Sequence, residues 1–245
     1  MSELLRPIPT QGVGLSRAYT LRVYLHSPHG MPPRIACFGA SGTCVQIALD
    51  LRYQAQGAVD FLGYVDDLQT QSVDSGWSVR SFEELVAEPD VGVFVPIHDP
   101  DGRARVFDRL TSHGIPIVGS RGLPHLAHPD AEIGEGTIVS LTTRVGHNTR
   151  IGRGCIAVGE LVAHDVVVGD FVTLAAQSAV LGHVQIGNGA YIGAGAIVKN
   201  GTQDRPLVIG AGAVIGTGAV VGSDVAAGEV VMGPRARPLR EWVRS

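Results

Sequence analysis

The sequence predicts two kinds of architecture in one chain: an α/β unit with a small, Rossmann-like parallel sheet, followed by a parallel β-helix. Three observations carry this prediction. A six-residue unit recurs from about residue 130 to residue 232. The stretch before it alternates short apolar runs with helix-like ones. Glycine makes up 33 of 245 residues, about twice its ordinary share of ~7%, and much of the excess lies in the repeat.

Residues 1–30 are polar, show no clear period and read as an N-terminal extension, because Met31-Pro32-Pro33-Arg34 looks like a natural domain start. A first unit then spans 31–122. Arg34–Phe38 is a short apolar strand, Gly39–Thr43 a turn, and Cys44–Gln56 a helix. Val59–Val65 forms a second strand that ends at Asp66-Asp67. Ser81 with Glu84 three residues on has the pattern of a capping box, opening a helix over 81–88. Val91–Val95 is a buried strand, Gly102–His113 a helix and Ile115–Val118 a last strand. Strands alternating with helices imply a parallel sheet with helices packed on it. Leu123–Pro129 links this unit to the solenoid, which with its tail fills 123–245.

In the repeat, an aliphatic residue is followed by a small one, two variable residues and another small one, as in Ile186–Tyr191, Ile192–Ile197, Ile209–Val214 and Ile215–Val220. A fixed hexapeptide period marks a stacked parallel β-helix. Each hexad makes one flat side of a triangular coil, and the aliphatic residue fills the prism. Val and Ile suit a pleated, half-buried surface, whereas Gly and Asn tolerate the positive φ of the corners. A helix is excluded because each interior glycine costs about 1 kcal/mol. Collagen is excluded because glycine does not fall at every third position.

A net charge of −4 and a pI near 6.1 argue against nucleic acid as a partner and against attachment to membranes by basic charge. No apolar run approaches the roughly 20 residues of a spanning helix, and the first 30 residues lack a signal-peptide core. Cys37, Cys44 and Cys155 are odd in number and without a scaffold pattern, which favours a reducing cytoplasm.

Two places carry candidate chemistry. The first is the turn Gly39-Ala40-Ser41-Gly42 between a strand and a helix, with Asp66-Asp67 closing the next strand. Backbone N–H groups at such a turn can hold an anion, and an acid there can meet a hydroxyl. Cys44 stands where a third glycine would complete the motif, so a plain tight βα turn and a solvated acidic turn stay open. The second is His164-Asp165 inside the repeat. Histidine titrates near neutrality and suits a general base, and a neighbouring carboxylate can fix its tautomer. Spacing alone leaves open an exposed histidine on a coil face. His147, His164 and His183 recur about one coil apart. Stacked histidines would not by themselves converge on a zinc ion, and five residues after His164 stands Gly169, so no metal is expected.

The order of parts resembles the bacterial sugar O- and N-acetyltransferases, which include the sialic acid O-acetyltransferases and the acetyltransferases of UDP-linked 4-amino sugars. The resemblance covers roughly residues 33–240. Its motifs are Phe38–Gly42, Phe61–Asp67, Arg103 at the start of a helix, His128–Ala131, Ala163-His164-Asp165, Asp224–Gly228 and Gly233–Arg240. It implies left-handed coils, a homotrimer, and acetyl-CoA as co-substrate in a groove between two prisms. His164 would be the base and Asp165 its support. A nucleotide sugar would rest on Gly39, Ala40, Ser41, Asp66, Asp67 and Arg103. Thr173, Gly182 and Ala194 fall at coenzyme-side positions, Thr173 standing where the family has a histidine, and the Gly182 N–H is a candidate oxyanion donor. Thr43 and the pair Ala157-Val158 also depart from the family pattern. The expected activity is direct acetyl transfer to a sugar hydroxyl or amine. A non-sugar acceptor and a non-catalytic trimeric scaffold are the alternatives.

Overall fold

In the computed structural model, residues 25–27, 30, 32–55, 60–69, 76–123 and 125–234 are described. The first 24 residues of the expected extension and the tail motif beyond Pro234 lie outside them.

Strand β1 (Leu25–His26) pairs antiparallel with β6 (Ile117–Arg121), so the end of the expected extension is part of the α/β unit. At the centre stands β2 (Arg34–Phe38), flanked in parallel by β3 (Asp60–Val65) and β5 (Val91–Phe94). β4 (Val79–Arg80) adds beyond β3, and β6 beyond β5. The hydrophobic runs of β2 and β5 are buried throughout apart from Arg34, as expected of strands covered on both faces. Among the described residues three helices pack on the sheet: α1 (Gly42–Ala55), α2 (Phe82–Val86) and α3 (Pro100–Ser112). The capping box forms as the sequence predicts. Ser81 Oγ accepts from Glu84 N at 3.2 Å, and Glu84 Oε2 accepts from Ser81 N at 2.7 Å. Helix α3 begins two residues before its expected start, because Asp99 caps Gly102 N at 2.7 Å and Pro100 suits the first turn.

The repeat folds into a three-sided parallel β-helix. One face stacks β8 (Ile138–Val139), β11 (Ile156–Ala157), β14 (Thr173–Leu174), β17 (Tyr191–Ile192), β20 (Val214–Ile215) and β22 (Val230–Val231). A second stacks β7 (Glu132–Ile133), β10 (Arg150–Ile151), β13 (Val167–Val168), β16 (Val184–Ile186) and β19 (Leu207–Ile209). The third stacks β9 (Arg144–Val145), β12 (Leu161–Val162), β15 (Ala179–Val180), β18 (Ile197–Val198) and β21 (Val220–Val221). The inward residue of each pair forms a column, such as Val145, Val162, Val180, Val198 and Val221, and all of these are buried. One coil is longer. Residues 200–206 bulge from the corner between the third and second faces, pinned by reciprocal backbone bonds between Thr202 and Arg205.

The two parts are not joined by a free linker. β6 pairs in parallel with β8, Ser120 opposite Ile138 and Arg121 opposite Val139, so the α/β sheet runs on into the first face of the prism as one 12-stranded sheet. Arg103 of α3 reinforces this joint. Its guanidinium is fully buried and donates to the carbonyls of Ile97, His98, Gly154, Phe171 and Val172. Beside it, Phe107 meets Phe171 edge-on, with ring centres 5.2 Å apart. Among the described residues no helix is long and apolar enough to cross a membrane.

Candidate active site

The corner between the third and second faces carries a column of histidines, one per coil. His128 and His147 have ring centres 5.8 Å apart. His147 and His164 lie nearly parallel at 5.5 Å. His164 and His183 are perpendicular at 5.3 Å. Position on a corner explains why His128, His147 and His164 are exposed and His183 half-buried, since corner side chains point away from the aliphatic core.

His128 and His164 each carry a carboxylate on Nδ1, Asp130 and Asp165, and His164 is the one whose ring also lies over a glycine. Its Nδ1 lies 2.7 Å from Oδ2 of Asp165, the next residue. Asp165 adopts a left-handed backbone with φ 57°, a conformation tolerated by short polar side chains at turns. The Asn148 amide, one coil away, donates to Asp165 Oδ1 at 2.5 Å. That hydrogen bond first, and the His164 contact second, hold the Asp165 carboxyl below its ordinary value of 3.8. An ionised Asp165 favours the proton on Nδ1 of His164, which leaves Nε2 as the ring's accepting nitrogen. The ring of His164 lies over Gly182, where a Cβ would stand 2.8 Å from Nε2. Glycine is therefore required at residue 182 for this ring position.

The structure thus brings His164, Asp165 and Gly182 together. Ala194 stands on another edge of the prism, next to the Gly193 and Gly195 corner between the first and third faces. Thr173 lies in β14 with its side chain buried, and its hydroxyl donates to the His98 carbonyl at 2.8 Å. The expected coenzyme-side role of Thr173 gives way to a structural one at the joint. The same holds for Arg103, whose five carbonyl partners leave its guanidinium no open side for a ligand.

At the glycine turn much of the hydrogen-bonding capacity is already used. Gly39 N donates to Val65 O at 2.8 Å, and Ala40 N to Asp66 Oδ2 at 3.1 Å. Asp66 Oδ1 accepts from the backbone of Leu68 and Gln69. Asp67 accepts from Phe82 N and pairs with Arg109, and these partners hold it below 3.8. Both acids therefore brace the unit. Ser41, at the start of α1, is exposed, as is Asp67. Cys44, in place of a third glycine, fits its sulfur under the turn: a Cβ on Gly39 would meet it at 2.8 Å.

Sequence reasoning missed Asn148: an asparagine marks a corner, but not the carboxylate it meets one coil on. His147, His164 and Asp165 bring nitrogen and oxygen atoms within 4.8 Å of one another. An open cleft of about 440 Å³, lined by Asp99, Pro100, Asp101, Gly189, Tyr191, Gly212 and Val214, had no sequence signal because it forms where α3 leans over the first face.

Comparison with known proteins gives the family. Residues 163–200 match the family described as bacterial transferase hexapeptide (six repeats). WeeI from Acinetobacter baumannii AYE superposes with a TM-score of 0.74 at 32% identity, covering 83% of this chain and 98% of that one. The acetyltransferase domain of PglB from Neisseria gonorrhoeae FA1090, solved with acetyl coenzyme A, gives 0.71 at 25% identity over 84% and 99% of the two chains. PerB from Caulobacter crescentus, solved with CoA and GDP-perosamine, gives 0.71 at 24% identity over 83% and 95%, a likeness of fold. Repeat and architecture define a hexapeptide transferase with a left-handed β-helix, an exception to the usual right-handed crossover. The sequence is also 39% identical to GDP-perosamine N-acetyltransferase of Escherichia coli O157:H7 over 182 residues, 73% of this chain and 82% of the relative. The chain belongs to the bacterial sugar acetyltransferases.

Proposed function

We propose that the chain transfers the acetyl group of acetyl-CoA to the amine of a GDP-linked amino sugar, with His164 as general base. The observation that carries this reading is the 2.7 Å contact of His164 Nδ1 with Asp165, which leaves Nε2 to take a proton. The relatives supply the substrates: the 39% identical protein acts on GDP-perosamine, and the PglB domain binds acetyl coenzyme A. Guanosine thereby replaces the uridine that the sequence resemblance suggested.

The amine nitrogen attacks the thioester carbonyl carbon while its proton passes to Nε2 of His164. The resulting oxyanion is met by backbone N–H, for which Gly182 under the ring is the candidate. The C–S bond then breaks, the imidazolium returns its proton to the departing CoA sulfur, and the acetamide leaves. Asp165 stabilises the transient imidazolium without itself taking the proton. Alignment of the two substrates supplies much of the rate.

We further propose a homotrimer. His164 and Ala194 occupy different edges of one prism, so a coenzyme touching both would have to lie between neighbouring prisms. Sedimentation equilibrium tests that state. For the reaction, GDP-, UDP- and TDP-linked amino sugars are incubated with the protein and acetyl-CoA, and products are read by mass spectrometry. Acetylated GDP-amino sugar is expected. Acetylation of only the UDP or TDP compounds would overturn the guanosine assignment, and acetylation of none would overturn the reading.

A further inference from the structure

The corners of this β-helix have an ordinary bonding pattern. A side-chain oxygen on one coil accepts a backbone N–H from a neighbouring coil. Asp170 does so from Arg153 N at 3.0 Å, Asn188 from Asp170 N at 2.9 Å and Asp224 from Val208 N at 2.9 Å. These bonds stitch coil to coil. Asp130 follows suit, accepting Asn148 N at 3.1 Å. Asp165 departs from the pattern: its Oδ1 accepts from a side chain, the Asn148 amide.

Asn148 is itself well fixed for this task. Its backbone is held in the left-handed region at φ 51°. Its N–H is tied to Asp130, which in turn contacts His128 Nδ1 at 2.5 Å. Asp165, by contrast, would swing about two side-chain torsions if His164 were its sole partner. A carboxylate pinned through one oxygen presents the other in a defined direction. Such partners behind a histidine's own partner fix its tautomer and ring orientation.

We infer that Asn148 is a positioning residue for acetyl transfer: by binding Asp165 Oδ1 it aims Oδ2 at Nδ1 of His164. The inference rests on the reading of His164 as base. Three charged or titratable neighbours face Asp165, namely His147, His164 and His183, the last with Nδ1 4.0 Å from Oδ2. Asp130 and His128 act on Asn148 from the coil beyond. Among these groups Asn148 is the one that donates to Asp165 Oδ1 through a side chain that does not titrate.

The test uses Asn148→Gly, because glycine adopts φ 51° without strain and removes only the amide. Turnover is expected to fall roughly tenfold, about 1.4 kcal/mol in the barrier, with KM for both substrates unchanged. The acid limb of the kcat profile moves to higher pH, since Asp165 loses the donor that favours its charged form. Asn148→Asp, which sets a second carboxylate against Asp165, loses more. The double variant Asn148→Gly/Asp165→Asn is no slower than Asp165→Asn alone, the non-additivity of residues acting through one contact. Additive losses, or Asn148→Gly with an unshifted profile, would overturn the inference even if turnover fell through instability. Histidine NMR separates this from failure of the enzymatic reading. The His164 ring signals should change in Asn148→Gly whether or not any sugar is acetylated, and unchanged signals count against the inference. A protein in which His164→Ala leaves acetyl transfer intact sinks the base assignment instead.

Discussion

The ring of His164 lies so close over Gly182 that a methyl group built on that glycine would stand 2.6 Å from Cε1. Real carbons do not approach to that distance, so either the ring or the backbone must move. The backbone of residue 182 belongs to a coil hydrogen-bonded on through Gly201, and the half-exposed ring is the softer part. Gly182→Ala should therefore fold normally, with a small change in Tm, and lower kcat about tenfold or more as the ring leaves its place. Wild-type kcat in a folded Gly182→Ala protein would show that the ring position is immaterial.

His164→Ala should lower turnover at least about a hundredfold, the scale of a lost general base, while acetyl-CoA affinity measured by calorimetry stays near wild type. Asp165→Asn should do less harm and shift the pH profile. Near-normal turnover in His164→Ala would refute the assignment.

The pH dependence of stability at this corner has a defined sign. The Asp165 carboxyl is held below 3.8 in the folded chain by Asn148 and His164. A lowered folded value means that the stabilisation is fully present above 3.8 and is lost as pH falls through the still lower folded value. The Tm difference between the wild type and Asp165→Asn should therefore shrink as pH falls from about 4 into stronger acid. A difference that grows on acidification would contradict the direction of the shift.

Arg103→Met keeps volume but takes the guanidinium from five carbonyls at the joint; His98 and Val172 keep a donor in Thr173 Oγ1 and Ile156 N, whereas Ile97, Gly154 and Phe171 lose the one described above. A buried acceptor left without its donor costs about 1–3 kcal/mol, so a loss of roughly 3 kcal/mol or more is expected in denaturant titration. Arg103→Lys should recover little, because an ammonium lacks the planar fork. A raised KM with unchanged stability would instead point to ligand binding by Arg103.

Cys155 is buried, its thiol 3.0 Å from the Gly169 carbonyl, and burial pushes its pKa up to about 12. Direct transfer needs no acyl-enzyme, and this thiol is unfit to form one. Native protein treated with iodoacetamide at neutral pH should show no alkylated Cys155 by peptide mass spectrometry, whereas denatured protein should show it fully.

The prism was legible because its signal is local. Ile209-Gly210 and Ile215-Gly216 each announce an inward residue and a corner within six positions, and no distant contact is needed to place them. The capping box of Ser81 and Glu84 was legible for the same reason. Arg103 was misread because its partners, Gly154 and Phe171, lie far along the chain and are backbone groups with no side-chain signature. Asp66 and Asp67 were read as free acids for a like reason, since the amides that occupy them come from the folded turn and from α2. At the candidate site, His164-Asp165 could be found as adjacent letters. The Asn148 contact could not, since coil register decides which corner residues face each other, and a one-residue change in coil length moves it.

The pairing of β6 with β8 has a mechanical consequence. A continuous ribbon of backbone bonds leaves no hinge between the layer that would seat a nucleotide and the spiral that bears the imidazole. Acceptors would then be measured by a gauge of fixed length, set when the chain folds, and a sugar whose amine sits one bond too near or too far would find no closing motion to bring it into reach.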